Sequence, residues 1–360
     1  MSVQMLRVAL LGCGRIAQRH ADLLSSGSIE AACLVGAVEV DEKRRNAFSE
    51  KYKINCFKTT DEMIAEVNPD AIAILTPSGL HASQVIKLSP VVKNLIVEKP
   101  MALSLEDADQ MISACDRNGT RLFVVKQNRF NVPVQKARLA LEQGRFGKLV
   151  MGSVRVRWCR PQSYYDQDTW RGTWSLDGGV LANQASHHVD LLQWMFGDVE
   201  SVMAMSRTAL VDIETEDTAV VILRFSNGAL GVIEATTATR PKDLEGSLSI
   251  LGESGTAVIG GFAVNQMTTW QFSETFSEDH EVLEKFSVNP PDVYGFGHKE
   301  IYRHIVDCIH TGRQQLVDGL EARKSLELIN AIYESIETGR EVFLRFKPKH
   351  SRLGELKVSQ

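Results

Sequence analysis

LRVALLGCGRIAQRH, residues 6–20, is the stretch that decides the fold. An apolar run, Leu6 to Leu11, leads directly into Gly12-x-Gly14-x-x-Ala17 and then into a segment with the apolar spacing of a helix. Strand, tight turn and helix in that order present backbone N–H groups at a helix N-terminus, where they and the helix dipole favour an anion. Gly12 permits the turn, Gly14 lets the main chain approach a pyrophosphate, and the small Ala17 permits close helix packing. Arg15 and Ile16 open the helix beside the same phosphates. A glycine turn in an α/β unit that binds nothing has the same pattern, so the surroundings must decide.

Downstream, short apolar runs alternate with amphipathic stretches: AACLVGAVEV, EKRRNAFSEKY, DAIAILT, SGLHASQVIKLS, NLIVEKP, SLEDADQMISACDRNG and RLFVV. This alternation predicts parallel strands joined by crossover helices, a Rossmann dinucleotide-binding domain over residues 1–125. The second strand ends at Glu39, where a carboxylate accepts from the adenosine ribose hydroxyls and repels a 2′-phosphate. NAD is therefore expected over NADP. Arg44 and Arg45 on the next helix either face solvent or offer a phosphate some compensation.

After Val125 the pattern changes. One helix-like segment, VQKARLALEQGRFG, precedes long alternating runs: LVMGSVRVRW, SVMAMSRTAL, TAVVILRFSNGALGVIEATTA, GSLSILGESGTAVIGG and MTTWQF. The Asn227-Gly228 pair is a strong hairpin signal. Residues 126–360 are expected to form an α+β domain with a large, mostly antiparallel sheet, closed by the helices GHKEIYRHIVDCIHTG and GLEARKSLELINAIYESIETG. An antiparallel sheet with one face uncovered by helices needs a partner, which predicts oligomerisation through this domain.

Bulk properties narrow the function. The chain has 360 residues, 44% of them hydrophobic, enough for two cores. Its 45 acidic and 40 basic residues give a net charge of −5 without long runs of either sign, which argues against nucleic-acid and anionic-membrane partners. The six cysteines stand singly, with no close C-x-x-C pair, so no metal is expected and a reducing, cytoplasmic setting is. No segment is apolar for the length of a membrane span.

Three further stretches fall at the C-terminal ends of predicted parallel strands, where open α/β sheets bind ligands: TPSGLH from Thr76, EKP from Glu98 and KQNRF from Lys126. Together with GCGRIA and the later GGVLANQASHHVDLLQW, they resemble the glucose–fructose oxidoreductase and inositol dehydrogenase (Gfo/Idh/MocA) family, from Leu6 to about Arg345. The resemblance implies cofactor contacts from Thr76, Pro77, His81, Glu98, Lys99 and Gln127. It also implies that Lys99 and a histidine of the second domain meet at the nicotinamide face. Aligning the family pattern GG-x-L-x-D-x-G-x-H-x-x-D puts that histidine at His187 and the last acid at Asp190, with Asn183 in place of the usual aspartate. Asn183, His187 and Asp190 are spaced to share one helical face. His188 points about 100° away and is read as structural.

NQASHH, VDGLEARKSLELINAIYES and WCRPQSYYDQDTWRGTW look like the branch that oxidises the C3 hydroxyl of UDP-N-acetyl-2-amino-2-deoxyglucuronate (UDP-GlcNAcA) in surface polysaccharide and lipopolysaccharide biosynthesis. Candidate substrate contacts are Lys99, Asn128, Arg129, Asn183, Gln184 and His187, with Lys126 nearby. Arg155 and Arg157 share a strand face, Arg160 lies just beyond, and Tyr164, Tyr165 and Trp170 could stack on a uracil or sugar. An exposed basic strand and a packed aromatic loop are the plainer alternatives. In the expected reaction His187 removes the hydroxyl proton and Lys99 holds the oxygen, or the two exchange roles. A polyol or inositol dehydrogenase is the enzymatic rival. A non-catalytic NAD-binding regulator is the rival of another class, against which the presence of both Lys99 and His187 speaks.

Overall fold

A computed structural model of the protein describes residues 5–287, 295–345, 351 and 353–354. The chain divides into two compact units, Met1–Val125 with His298–Arg323, and Lys126–Gly297 with Lys324–Gln360.

The first unit contains strands β1 (Leu6–Leu11), β2 (Ala32–Val38), β3 (Cys56–Phe57), β4 (Ala71–Ile74), β5 (Asn94–Val97) and β6 (Arg121–Val124). They form one parallel sheet in the order β3-β2-β1-β4-β5-β6. The crossovers carry α1 (Arg15–Ser25), α2 (Glu42–Tyr52), α3 (Thr60–Val67), α4 (His81–Leu88) and α5 (Leu105–Asn118). Val8, Leu10, Ile72, Ile74, Leu95 and Ile96 are fully buried, as expected of strands covered on both faces. Burying each such side chain stabilises the fold by about 1.5–3 kcal/mol. Chain order reverses between β1 and β4, and the loops after β1, β2, β4 and β5 carry Gly12, Glu39, Thr76 and Glu98 to one edge.

The second unit opens with α6 (Val132–Glu142), β7 (Leu149–Arg157), the one-turn α7 (Gln162–Tyr165) and α8 (Ser186–Phe196). Strands β8 (Val199–Arg207), β9 (Thr218–Phe225), β10 (Leu230–Thr236), β11 (Glu245–Gly252), β12 (Gly255–Gly260) and β13 (Gln266–Phe272) follow, then α9 (Asp279–Lys285). The chain continues through α10 (Gly297–Thr311), α11 (Gly319–Thr338) and β14 (Val342–Phe343). The sheet order is β13-β12-β11-β7-β10-β9-β8-β14, antiparallel except for the β7–β10 pair. Asn227-Gly228 makes the β9–β10 hairpin, with Gly228 at φ +87°.

Helix α8 covers one face of this sheet. Gly152 of β7 carries no side chain because Phe196 and Leu192 of α8 fill the space where a Cβ would lie. The opposite face exposes Met203 and Met205 of β8 beside Val220 and Ile222 of β9.

One segment is partitioned differently from the sequence expectation, which left residues 298–323 in the second domain. They pack with the first unit through specific bonds. Val124 N–H donates to Val317 O at 3.3 Å, Arg121 Nη1 to Cys308 O at 2.5 Å, and Arg323 Nη2 to Asp109 Oδ2 at 3.0 Å. These bonds tie residues 187 to 214 positions apart, so no local pattern announced them. Among the described residues no helix is long and apolar enough to cross a membrane.

Candidate active site

At the glycine turn, Gly12 has φ +101°, and a Cβ there would sit 3.1 Å from Leu75 O. Glycine is thus required by conformation and by space. Glu39 is fixed at the end of β2 by two main-chain donors, Cys13 N–H to Oε2 and Asp41 N–H to Oε1, both at 3.0 Å. A carboxylate has about four lone-pair sites, so each oxygen keeps one for a ribose hydroxyl. Arg45 folds back, its Nη1 donating to the Glu39 carbonyl at 2.9 Å and the Val40 carbonyl at 3.3 Å. Its guanidinium is therefore already engaged beside Glu39. Glycine turn, helix N-terminus and pinned acid fit a dinucleotide with an unmodified ribose.

The loops after β4 and β5 are tied together. Thr76 Oγ1 donates to Gln84 at 2.6 Å, and Pro77 leads into a short 3₁₀ turn, Ser78–Leu80. The buried His81 ring lies between two main-chain carbonyls, with Nδ1 2.9 Å from Pro100 O and Nε2 2.9 Å from Thr76 O. Burial lowers its pKa. A cofactor contact was expected of His81, but both ring nitrogens face the protein's own backbone, and the ring links the Thr76 loop to the EKP loop. Beside it Glu98 is buried, and its Oε2 accepts the Lys99 N–H at 3.0 Å.

In the second unit the segment before His187 departs from a regular helix. Val180–Gln184 form one π-type turn, Ala185 N–H donating to Val180 O at 2.7 Å, and α8 starts only at Ser186. Asn183 therefore does not continue the α8 face that its i, i+4 spacing to His187 predicted. Its Nδ2 donates to Asp177. His187 and Asp190 do share α8, both buried. His188 is fully buried, edge-on to Trp158 with ring centroids 5.7 Å apart, and neither ring nitrogen has a partner among the described residues. Burial alone pushes its pKa down to about 3. It is a neutral core residue, in keeping with its structural reading.

Arg129 was expected to touch substrate. Instead both its arms hold Asp190, Nε to Oδ2 at 2.7 Å and Nη2 to Oδ1 at 2.9 Å, with Lys126 Nζ 3.4 Å from the same carboxylate. Burial would raise the Asp190 pKa, but Arg129 and Lys126 outweigh it and hold the carboxyl far below its ordinary range. Lys126 also donates to Ser325 Oγ at 2.8 Å. This buried triad of two cations on one carboxylate anchors α8. Gln127 and Asn128 each have a buried side-chain oxygen without a partner among the described residues, and Gln184 has such a nitrogen.

Arg155 and Arg157 lie on the sheet face turned away from α8, since their neighbours Val154 and Val156 are the buried positions of β7. Arg157 grips Glu234 with both arms, at 2.6 and 2.8 Å, and reaches Glu245 at 3.3 Å. Arg155 lies 3.9 Å from Glu234 and 3.6 Å from Glu245. The expected pair of substrate cations is thus a cross-strand ion network, and within the unit it does not share a pocket with His187. Arg160 pairs with Asp243 at 3.0 Å and covers the Trp158 and Tyr164 rings. Tyr165 is buried, its hydroxyl 3.1 Å from Thr237 Oγ1, while Tyr164 and Trp170 each lie against the Arg171 guanidinium. These aromatics chiefly pack their loop.

Two buried networks had no signal in the linear pattern. In the first unit His20 Nε2 and His298 Nε2 lie 3.0 and 3.3 Å from Glu98 Oε1, and Tyr302 OH lies 2.7 Å from His20 Nδ1. His20, Glu98 and His298 also bring potential metal-ligand atoms within 4.8 Å of one another, a grouping the singly scattered residues did not suggest. In the second unit Glu216 lies beneath the π-type turn. Its Oε1 accepts from Leu181 N–H at 3.0 Å and Tyr333 OH at 2.8 Å, while Oε2 has no partner among the described residues.

Known proteins match this architecture along its length. Residues 6–126 match the oxidoreductase-family NAD-binding Rossmann fold, and residues 134–258 match the GFO/IDH/MocA C-terminal domain. The WlbA dehydrogenase of Bordetella pertussis, solved in complex with NADH and UDP-GlcNAcA, is 41% identical, with 95% of this chain and 99% of that one covered and a TM-score of 0.89. The WlbA dehydrogenase of Chromobacterium violaceum, in complex with the same two ligands, is 41% identical over 95% and 97% of the two chains, with a TM-score of 0.88. A myo-inositol 2-dehydrogenase of Thermotoga maritima is 28% identical over 346 residues, 94% of this chain and 98% of that protein. A Rossmann sheet with a pinned ribose acid, an EKP loop at its edge and an α8-bearing antiparallel sheet thus come together in a member of the Gfo/Idh/MocA family of NAD-dependent oxidoreductases.

Proposed function

We propose that the protein oxidises the C3 hydroxyl of UDP-GlcNAcA to the 3-keto sugar with NAD. The observation that carries this reading is the 41% identity, end to end, to dehydrogenases that bind NADH and UDP-GlcNAcA. The 28% identity to an inositol dehydrogenase supports the shared chemistry, at greater distance. NAD, when bound, supplies the hydride acceptor at its nicotinamide. Gly12, Gly14 and the first turn of α1 would receive its pyrophosphate and Glu39 its ribose hydroxyls. On the protein side, His187 takes the hydroxyl proton and Lys99 holds the oxygen as negative charge develops on it. With Asn183 replacing a carboxylate, proton uptake falls to His187 and Lys99. Gln127, Asn128 and Gln184 offer the polar atoms that orient the ligands.

The setting proposed is cytoplasmic synthesis of a surface-polysaccharide sugar. The assembly proposed is a homodimer or homotetramer through the exposed face of β8 and β9. The deciding assay measures kcat/KM for UDP-GlcNAcA, UDP-N-acetylglucosamine and myo-inositol with NAD in excess, reading NADH and bound 3-keto product. UDP-GlcNAcA is expected to lead UDP-N-acetylglucosamine by about ten- to a thousandfold, because losing the carboxylate leaves a polar group of the site unpaired. Brisk turnover of myo-inositol with none of UDP-GlcNAcA would install the polyol dehydrogenase instead.

A further inference from the structure

We propose that the buried chain Tyr302–His20–Glu98–His298 is the device that positions Lys99. Glu98 is its centre and Tyr302 sets the tautomer of His20. The inference rests on the assignment of Lys99 to the reacting oxygen.

The geometry assigns a direction to each hydrogen bond. Glu98 Oε2 accepts the main-chain N–H of Lys99 at 3.0 Å, and Oε1 faces His20 Nε2 at 3.0 Å and His298 Nε2 at 3.3 Å. A carboxylate can only accept, so each histidine presents an Nε2–H to it. His20 Nδ1 must then be the acceptor, and Tyr302 OH, 2.7 Å away, donates to it. One phenol thus selects the tautomer of a buried imidazole that holds one oxygen of Glu98, whose other oxygen holds the Lys99 backbone.

The charge states agree. Burial would raise the Glu98 pKa, but the hydrogen bonds from His20 and His298 outweigh it and keep the carboxyl well below its ordinary value. Burial lowers the pKa of His20, so the ring stays neutral. On the other side of Lys99, His81 Nδ1 lies 2.9 Å from Pro100 O, so the buried His81 ring packs against the EKP loop one peptide beyond Lys99. A lysine side chain has four rotatable bonds. A backbone fixed in this way removes the remaining freedom from its root, which matters because misplacement by about 1 Å can cost on the order of a hundredfold in rate.

The same three side chains would ligate a metal only by giving up these bonds. All three are nine-tenths or more buried, and the hydrogen bonds already satisfy the atoms that would coordinate.

The test is a double-mutant cycle on the full-length protein with UDP-GlcNAcA and NAD. Glu98→Gln keeps the shape but offers one acceptor oxygen and an NH₂ where two acceptors are needed. It is expected to lower kcat by about 10–100-fold while KM and the NADH dissociation constant stay within about threefold. Tyr302→Phe, which leaves packing nearly intact, is expected to lower kcat by about 3–10-fold with the same split. In a Lys99→Met background Glu98→Gln should cost almost nothing more, since there is no ammonium left to position. Glu98→Gln turning over within twofold of the wild type, while Lys99→Met is inactive, overturns the positioning role. So does an equal fractional loss from Glu98→Gln in both backgrounds, which would mark general structural damage. Near-normal turnover of Lys99→Met instead overturns the assignment of Lys99 itself, and is read from the single variant alone.

Discussion

His187 and His188 are adjacent on α8 yet occupy unlike surroundings. His188 is walled in by Trp158, and its Nε2 would lie 3.0 Å from a Cβ placed on Gly246. His187 shares its face of the helix with Asp190, whose negative charge is already balanced by Arg129 and Lys126. Asp190 therefore orients and anchors, and has no proton to relay. His187→Asn is expected to lower kcat at least about a hundredfold with little effect on melting temperature. His188→Asn should keep kcat within a few-fold but lose about 2–4 kcal/mol of stability, because it hollows and polarises a packed core site. Steady-state kinetics and thermal melts on the two variants check both, and the reverse ranking would move the base to His188.

The π-type turn and the strand beneath it form an element with its own pH response. Glu216, at the entry to β9, supports the turn through Leu181 N–H, and its carboxylate fills the space above Gly179 where a side chain would otherwise project. Burial, assisted by Asp217, pushes its pKa up to about 7 against the lowering effect of its hydrogen bonds. For an acid whose pKa is raised on folding, the unfolded chain ionises first. Stability is then highest below about pH 4.5 and falls as pH rises to about 7. Glu216→Gln should remove this term: the variant is expected to match the wild type near pH 4.5 and exceed it by about 3 kcal/mol at pH 8. Denaturant melts across that range test it, and a pH-independent difference between the two proteins would refute the raised pKa.

Beyond single elements, the second sheet is covered by α8 on one face and, among the described residues, exposed at β8 and β9 on the other. Met205 is 77% exposed, Ile222 55%, Val220 51% and Met203 45%, and the pairs Met203–Ile222 and Met205–Val220 sit directly across from one another. The Arg155–Arg157–Glu234–Glu245 network lies on the same bare face, giving an apolar patch with a charged flank. A second copy of the chain is the proposed occupant of this surface. Light scattering should find the wild type as a dimer or tetramer. Ile222→Asp combined with Met205→Asp should lower the mass toward that of a monomer, and an unchanged mass would place the interface elsewhere.

The sequence by itself determined what depends on local periodicity and turn chemistry. The strand–glycine–helix opening, the alternation behind a parallel sheet, Glu39 at the end of β2 and the Asn227-Gly228 hairpin are each written within a few residues, because period and backbone permissiveness are local properties. Tertiary structure decided what depends on who meets whom. It gave residues 298–323 to the Rossmann unit, turned Arg155 and Arg157 away from α8, and joined Arg129 to Asp190. It also assembled Tyr302, His20, Glu98 and His298 around one carboxylate. A cation's spacing along a strand states its face but not its partner. In this chain the partners lie tens to hundreds of residues away, chosen by the need to balance each buried or half-buried charge.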